Sequence, residues 1–300
     1  MKLRRLLLVA AVVALSACAT PSPAPNEAAR AELTPTGKLR FGVVAGPERT
    51  ELFVVKNADG QPEGVAVDLA RELARRLGAP VEFKVASSSW ELTEMLMGGK
   101  LDAAILPPDK EGRQRLDFGT YYFVDRSTYM VAGGSRINTI DDVDYRRVRV
   151  IAVEGSTTDR AATRRLRNTR VNPVGSIDEA LEMLRTRQAD ALAFTHASLA
   201  PLVGRVPGSR ILEGSFERVG LAFAVPRNRL HALDYVTIFT EDAKASGLVQ
   251  RAFDNAGLKD SQPAKPDSTA PVFWSCAPFL FGLDPGGLGE LREHRDFLAG

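Results

Sequence analysis

Few stretches of this 300-residue chain carry the side chains that small-molecule chemistry requires. Foremost is Gly155-Ser156-Thr157-Thr158-Asp159, which sits between a strand-like run and a helix expected over 159–167. A glycine there lets the backbone approach a ligand closely, and the unpaired N–H groups of a helix start favour an anion. Ser156 with Asp159 is equally a capping box, which needs no ligand, and the two uses are compatible. Trp90, Tyr121 and Tyr122 have the faces to stack on a flat or apolar ligand group, or to fill a core. Glu154 and His196 are the only placed candidates for acid–base work, and neither has a recognisable partner. Two cysteines, Cys18 and Cys276, exclude a disulfide framework and a four-cysteine zinc site. Three scattered histidines argue against a metal centre. No catalytic group, metal or cofactor is expected.

The elements that must position these residues are legible as alternating strands and helices. A strand over 38–44 ends at Ala45-Gly46, and Asn57-Ala58-Asp59-Gly60 is a hairpin-type turn. Leu69, Leu73 and Leu77 stand at i, i+4, i+8 in a helix closed by Gly78 and Pro80. A strand over 81–85, a helix over 90–97 and a buried strand over 101–106 follow. The second half repeats this grammar: residues 148–153 end at Glu154-Gly155. Glu94-Met95-Leu96 with Asp102-Ala103 reappears as Glu182-Met183-Leu184 with Asp190-Ala191. Such alternation implies βαβ units, an α/β fold with largely parallel sheets, and a cleft outside the carboxyl ends of the strands.

Composition agrees with a globular protein large enough for two ordinary domains, at 44% apolar and 25% charged residues. Lys2, Arg4 and Arg5 precede an apolar run over 6–17 that is too short to span a bilayer and reads as a secretory leader. Removing it takes the formal charge from +2 to −1, so no electrostatic footprint for nucleic acid remains. Leu15-Ser16-Ala17-Cys18 resembles the lipobox of bacterial lipoproteins, which implies a lipidated Cys18 and anchorage to a membrane from the periplasmic side. Residues 19–36, with four prolines, are expected to form an extended tether. The tail over 261–300, rich in proline and glycine, is expected to be disordered, although Phe273-Trp274 and Phe279-Leu280-Phe281 would be awkward exposed.

Six motifs in order then resemble the family 3 solute-binding proteins of bacterial ABC importers. They are Gly37-Lys38-Leu39-Arg40-Phe41-Gly42-Val43, Gly64-Val65-Ala66-Val67-Asp68-Leu69, Gly99-Lys100-Leu101-Asp102-Ala103, Leu116-Asp117-Phe118 with Tyr122, Val153-Glu154-Gly155-Ser156-Thr157, and Ser246-Gly247-Leu248. The resemblance implies a two-lobed periplasmic-binding fold of type II, with lobe 1 from 37–132 plus 222–260, lobe 2 from 133–221, and two crossing strands as hinge. It implies a ligand cleft that uses Gly155, Ser156 and Thr157.

In amino-acid-binding members an arginine six residues before the motif phenylalanine clamps the ligand carboxylate. That position is Gly112 here, so Arg113 or Arg115 would have to replace it, Arg113 being nearer. The acid that usually holds the ligand ammonium is replaced by Thr195, which puts an α-amino acid ligand in doubt. Tyr122 and Trp90 complete the expected site. The expected function is capture of a small polar or anionic solute by a monomeric binding protein working with an ABC permease. A sensory or partner-binding lipoprotein, or an exported cyclohexadienyl-dehydratase-like enzyme, are the alternatives.

Overall fold

The computed structural model describes residues 23–269. The leader, Cys18 and the tail from 270 on, Cys276 included, lie outside the described residues. The strands are β1 (Leu39–Ala45), β2 (Phe53–Lys56), β3 (Pro62–Glu63), β4 (Val81–Ala86), β5 (Ala103–Leu106), β6 (Leu116–Val131), β7 (Val150–Val153), β8 (Val171–Val174), β9 (Ala191–Thr195), β10 (Arg210–Ile211) and β11 (Glu217–Pro226). The helices are α1 (Glu27–Leu33), α2 (Val65–Leu77), α3 (Ser89–Met97), α4 (Lys110–Arg115), α5 (Thr157–Arg165), α6 (Ile177–Arg185), α7 (His196–Leu199), α8 (Leu230–Ala245) and α9 (Leu248–Asn255).

These strands join into one mixed sheet in the order β3-β2-β1-β5-β11-β6-β9-β7-β8, with β4 also on β1 and β10 on β6. One half is built from the parallel set β1, β2, β4 and β5, and the other from the parallel set β7, β8 and β9. Between them run the long antiparallel strands β6 and β11. β11 pairs with β5 in the first half, and β6 pairs with β9 from Ser127 onward in the second. Leu69, Leu73 and Leu77 of α2 face inward among Phe41, Phe223, Phe239 and Phe253. A second apolar cluster spans both halves, joining Phe53, Leu92 and Ala104 to Ile151, Leu184 and Phe194.

The sequence repeat has a physical basis. In the first half Asp102 accepts the backbone N–H and Nε of Arg40 at 2.9 Å each and its terminal nitrogen at 2.6 Å. In the second, Asp190 accepts the same three donors of Arg149 at 2.8, 2.9 and 2.7 Å. A bidentate fork thus locks the start of one parallel strand to the turn entering its neighbour, twice.

Two expectations about the ends need correction. The tether over 19–36 is not extended throughout, because residues 27–33 form α1, capped by Asn26 accepting from Ala29 N at 2.7 Å. Its Ala29 and Leu33 are buried, and the Glu32 carboxylate accepts the N–H of Ala232 at the start of α8, which has no side-chain cap of its own. A seven-residue helix is too short to stand alone or to show periodicity, so docking stabilises it. The tail over 261–269 is likewise placed against the fold: Ala264 N donates to Tyr122 O at 2.8 Å, and Tyr121 N donates to Ser268 O at 2.7 Å. It covers the edge of β6 at residues that β9 does not reach.

Candidate functional site

A cavity of about 310 Å3 lies where the two halves meet. Its walls are the carboxyl ends of β1, β7 and β9, the middle of β6 and β11, and the first residues of α3, α5 and α6. Ser88, Ser156 and Ser176 cap those three helices, each accepting the N–H three residues on, from Glu91, Asp159 and Glu179 at 3.3, 3.0 and 3.1 Å. Each helix therefore carries its own acid in the first turn, which answers the positive end of its dipole. Phe53 and Phe194, one from each half, stack with ring centres 5.7 Å apart and planes at 10°. With Phe123, Val153 and Leu221 they make much of the lining apolar.

The charged groups on the wall are all acids: Glu51, Asp125 and Asp178. Among the described residues no lysine, arginine or histidine lines it. An anionic solute would meet no side-chain cation on this wall, only the N–H groups at the starts of α3, α5 and α6. Glu51 is only 4% exposed. Its carboxylate accepts the hydroxyl of Ser261, and its backbone carbonyl accepts the hydroxyl of Tyr122. Burial pushes the Glu51 carboxyl up, and the negative charge of Asp125 pushes it further.

The folded chain therefore holds that proton more tightly than the unfolded chain does. Stability linked to neutral Glu51 is complete below its ordinary value of 4.5 and is lost as pH rises through the raised folded value. Glu51→Gln keeps the acceptor for Ser261, so it is expected to flatten this dependence. It should raise the unfolding midpoint at neutral pH by a few degrees, on the scale of about 2–4 °C per kcal/mol. Thermal scans across about pH 5 to 8, where stability linkage is commonly read, check this.

Of the residues singled out from the sequence, Ser156, Thr157 and Thr195 line the cavity. Thr195 sits in hydrogen-bond contact with Ser198 at 2.9 Å. Gly155 adjoins it at φ 69°, and a side chain there would meet Ser88 Oγ at 3.3 Å and Trp90 Cβ at 3.4 Å, so glycine is what lets this turn approach α3. Arg113, Tyr122 and Trp90 stand elsewhere. Arg113 donates to the Tyr121 hydroxyl at 2.6 Å and lies over the Phe118 ring. Arg115 pairs with Glu94 at 2.5 Å. Tyr122 is fully buried beside Phe253, because strand alternation turns it to the core and Phe123 to the cavity. Trp90 is half-exposed at the lip, with the guanidinium groups of Arg115 and Arg160 at 4.6 and 5.7 Å from its ring.

At Gly112, an added Cβ would lie 2.8 Å from Asp109 Oδ1, which accepts the Gly112 N–H at 2.7 Å. A side chain there would oblige the Asp109 carboxylate that caps α4 to shift. Asp109 also accepts from Arg160 Nε of α5 at 2.6 Å, and Glu111 accepts from Arg164 at 2.9 Å. These pairs bridge the two halves beside the cavity. Sequence reasoning missed Glu51, Asp125 and the phenylalanine pair. Asp125 had a visible signal as a lone acid in an apolar strand run, whereas nothing in Pro47-Glu48-Arg49-Thr50-Glu51 distinguishes Glu51 from Glu48.

The family of bacterial extracellular solute-binding proteins, family 3, matches residues 43–256. The chain belongs to this family. It is 26% identical over 229 residues to a glutamine-binding protein of Geobacillus stearothermophilus, covering 71% of this chain and 87% of that one. It is 30% identical over 203 residues to membrane-bound lytic murein transglycosylase F of Maricaulis maris, covering 64% of this chain but 42% of that protein. A solved ancestral arginine-binding protein bound to arginine superposes with a TM-score of 0.64 at 25% identity, covering 73% of this chain and 97% of that one. The family is extracellular, and among the described residues no helix is long and apolar enough to cross a membrane.

Proposed function

We propose that this family 3 protein captures a small solute between two lobes and delivers it to an ABC permease, held at the membrane by a lipid on Cys18. The lobes are the two halves of the sheet, roughly 37–132 plus 222–260 and 133–221, hinged on β6 and β11. β6 pairs with β9 from Ser127 onward, which supports a boundary within this strand. The observation that carries this reading is a cavity whose wall is drawn from both halves and closed by contacts between them: Phe53 on Phe194, and Asp109 with Arg160. Closure of that kind stores binding energy as a change of shape, and no chemical step is needed. The glutamine-binding relative and the arginine-bound ancestral structure support a nitrogen-bearing metabolite.

The test is small-angle scattering and thermal unfolding before and after adding the solute retained through native purification, identified by mass spectrometry. Compaction with stabilisation of about 2.7 kcal/mol at a hundredfold excess over Kd is expected. A particle that neither compacts nor stabilises with broad solute panels would overturn the reading.

A further inference from the structure

The charges around the cavity are distributed one way. The buried carboxylate of Glu51 and the half-buried one of Asp125 both line the cavity, and the negative charge of Asp125 disfavours ionisation of Glu51. Neither has an ion-pair partner among the described residues, and their local hydrogen bonds leave capacity unused. Asp125 accepts from Ala197 N at 2.9 Å and from Arg126 N at 2.7 Å. At its carboxylate Glu51 accepts from the Ser261 hydroxyl. Two carboxylates sharing an apolar pocket call for a cation between them.

The groups that could receive a ligand carboxylate are committed elsewhere. Arg113 is held by Tyr121, Arg115 by Glu94, and Arg160 by Asp109. Gly112 supplies no side chain. The helix starts at Ser88, Ser156 and Ser176 already face their own first-turn acids. At about 310 Å3 the cavity is at the small end of ligand sites, and its phenylalanines suit an apolar body.

We propose that the cavity takes a small organic cation, an amine or guanidinium on a compact apolar body, that carries no carboxylate. The cation sits between Glu51 and Asp125 with its apolar part against Phe53, Phe123 and Phe194. This rests on solute capture in the same cleft, and it departs from zwitterion recognition because one of the two charges required for that is absent from the wall.

The experiment uses full-length protein, dialysed free of solute, titrated calorimetrically with matched pairs that differ only by a carboxylate: agmatine and arginine, cadaverine and lysine, phenethylamine and phenylalanine. At least one amine is expected to bind tenfold or more tightly than its amino acid. Glu51→Gln and, separately, Asp125→Asn are expected to weaken that amine tenfold or more while thermal scans show the folded state intact. An amino acid that binds as well as its amine, a succinate titration that succeeds where the amines fail, or a carboxylate-bearing molecule retained on native purification overturns the cation assignment and leaves solute capture standing. Amine binding unaffected by both substitutions also overturns it. If no probe binds and nothing is retained, the assignment and the capture reading fall together.

Discussion

Replacing Asp109 by alanine is expected to weaken solute retention at least tenfold and to leave the solute-free particle more open. Asp109 does two jobs with one carboxylate: it caps α4 through Gly112 N and accepts the Arg160 guanidinium from the other half of the sheet. Its side chain is 5% exposed and that of Arg160 is 21% exposed. Losing the cap costs about 1 kcal/mol. Breaking a buried pair costs about 3–5 kcal/mol, and the lower end applies because Arg160 regains water more easily than a sealed charge. A contact made only in the closed form transfers its loss to affinity, where about 1.4 kcal/mol is a factor of ten. Asp109→Asn keeps the cap and isolates the ionic part. A double-mutant cycle with Arg160→Ala, read by calorimetry and by the radius of gyration, should show coupling between the two sites. Strict additivity with unchanged affinity would mean that the pair does not hold the halves together.

The largest loss is expected from Phe194→Ala. Its ring lies against Phe53 across the junction of the halves, and both are almost wholly buried. Truncating a buried phenylalanine costs about 3–5 kcal/mol, because transfer energy is lost and a void remains. Part of that falls on folding, since Phe194 also belongs to the apolar cluster that includes Leu92 and Leu184. The remainder falls on closure. Phe194→Leu should recover most of the unfolding midpoint but not the aromatic contact, which is worth about 0.5–1.5 kcal/mol beyond area. Denaturant unfolding of the solute-free protein separates the first loss, and solute dissociation rates report the second. Equal effects of Phe194→Ala and Phe194→Leu on dissociation would show that the stacked face contributes nothing specific.

The difference between the expected site residues and those that line the cavity follows from what strand and loop patterns encode. Ser156, Thr157 and Gly155 were legible because a capped turn leaving a parallel strand is a local motif, and such turns face the crevice in any α/β sheet. Tyr122 lies one residue from the position that faces the cavity: in a long strand the two faces alternate, and only the neighbours on either side decide which face meets it. There Phe123 and Asp125 face inward, while Tyr122 holds the carbonyl of Glu51 from the core. Distance along the chain from a motif phenylalanine points to Arg113, yet the α4 geometry directs it to Tyr121. Glu51 had no local mark at all, since its burial comes from Ser261 and Tyr122, which are distant in sequence.

Local order in the chain was sufficient for the alternation of strands and helices, for the internal repeat that became the Arg40–Asp102 and Arg149–Asp190 forks, and for membership of a two-halved α/β family. Those depend on side-chain period, capping and turn chemistry, which neighbours within a few residues settle. Folding in three dimensions decided the sign of the cavity and which aromatic rings wall it. It also turned α1 and the strap over 261–269 into parts of the globule. Each of these is set by the total charge and packing of groups brought together from opposite ends of the chain, and such sums leave no periodic trace in the order of residues.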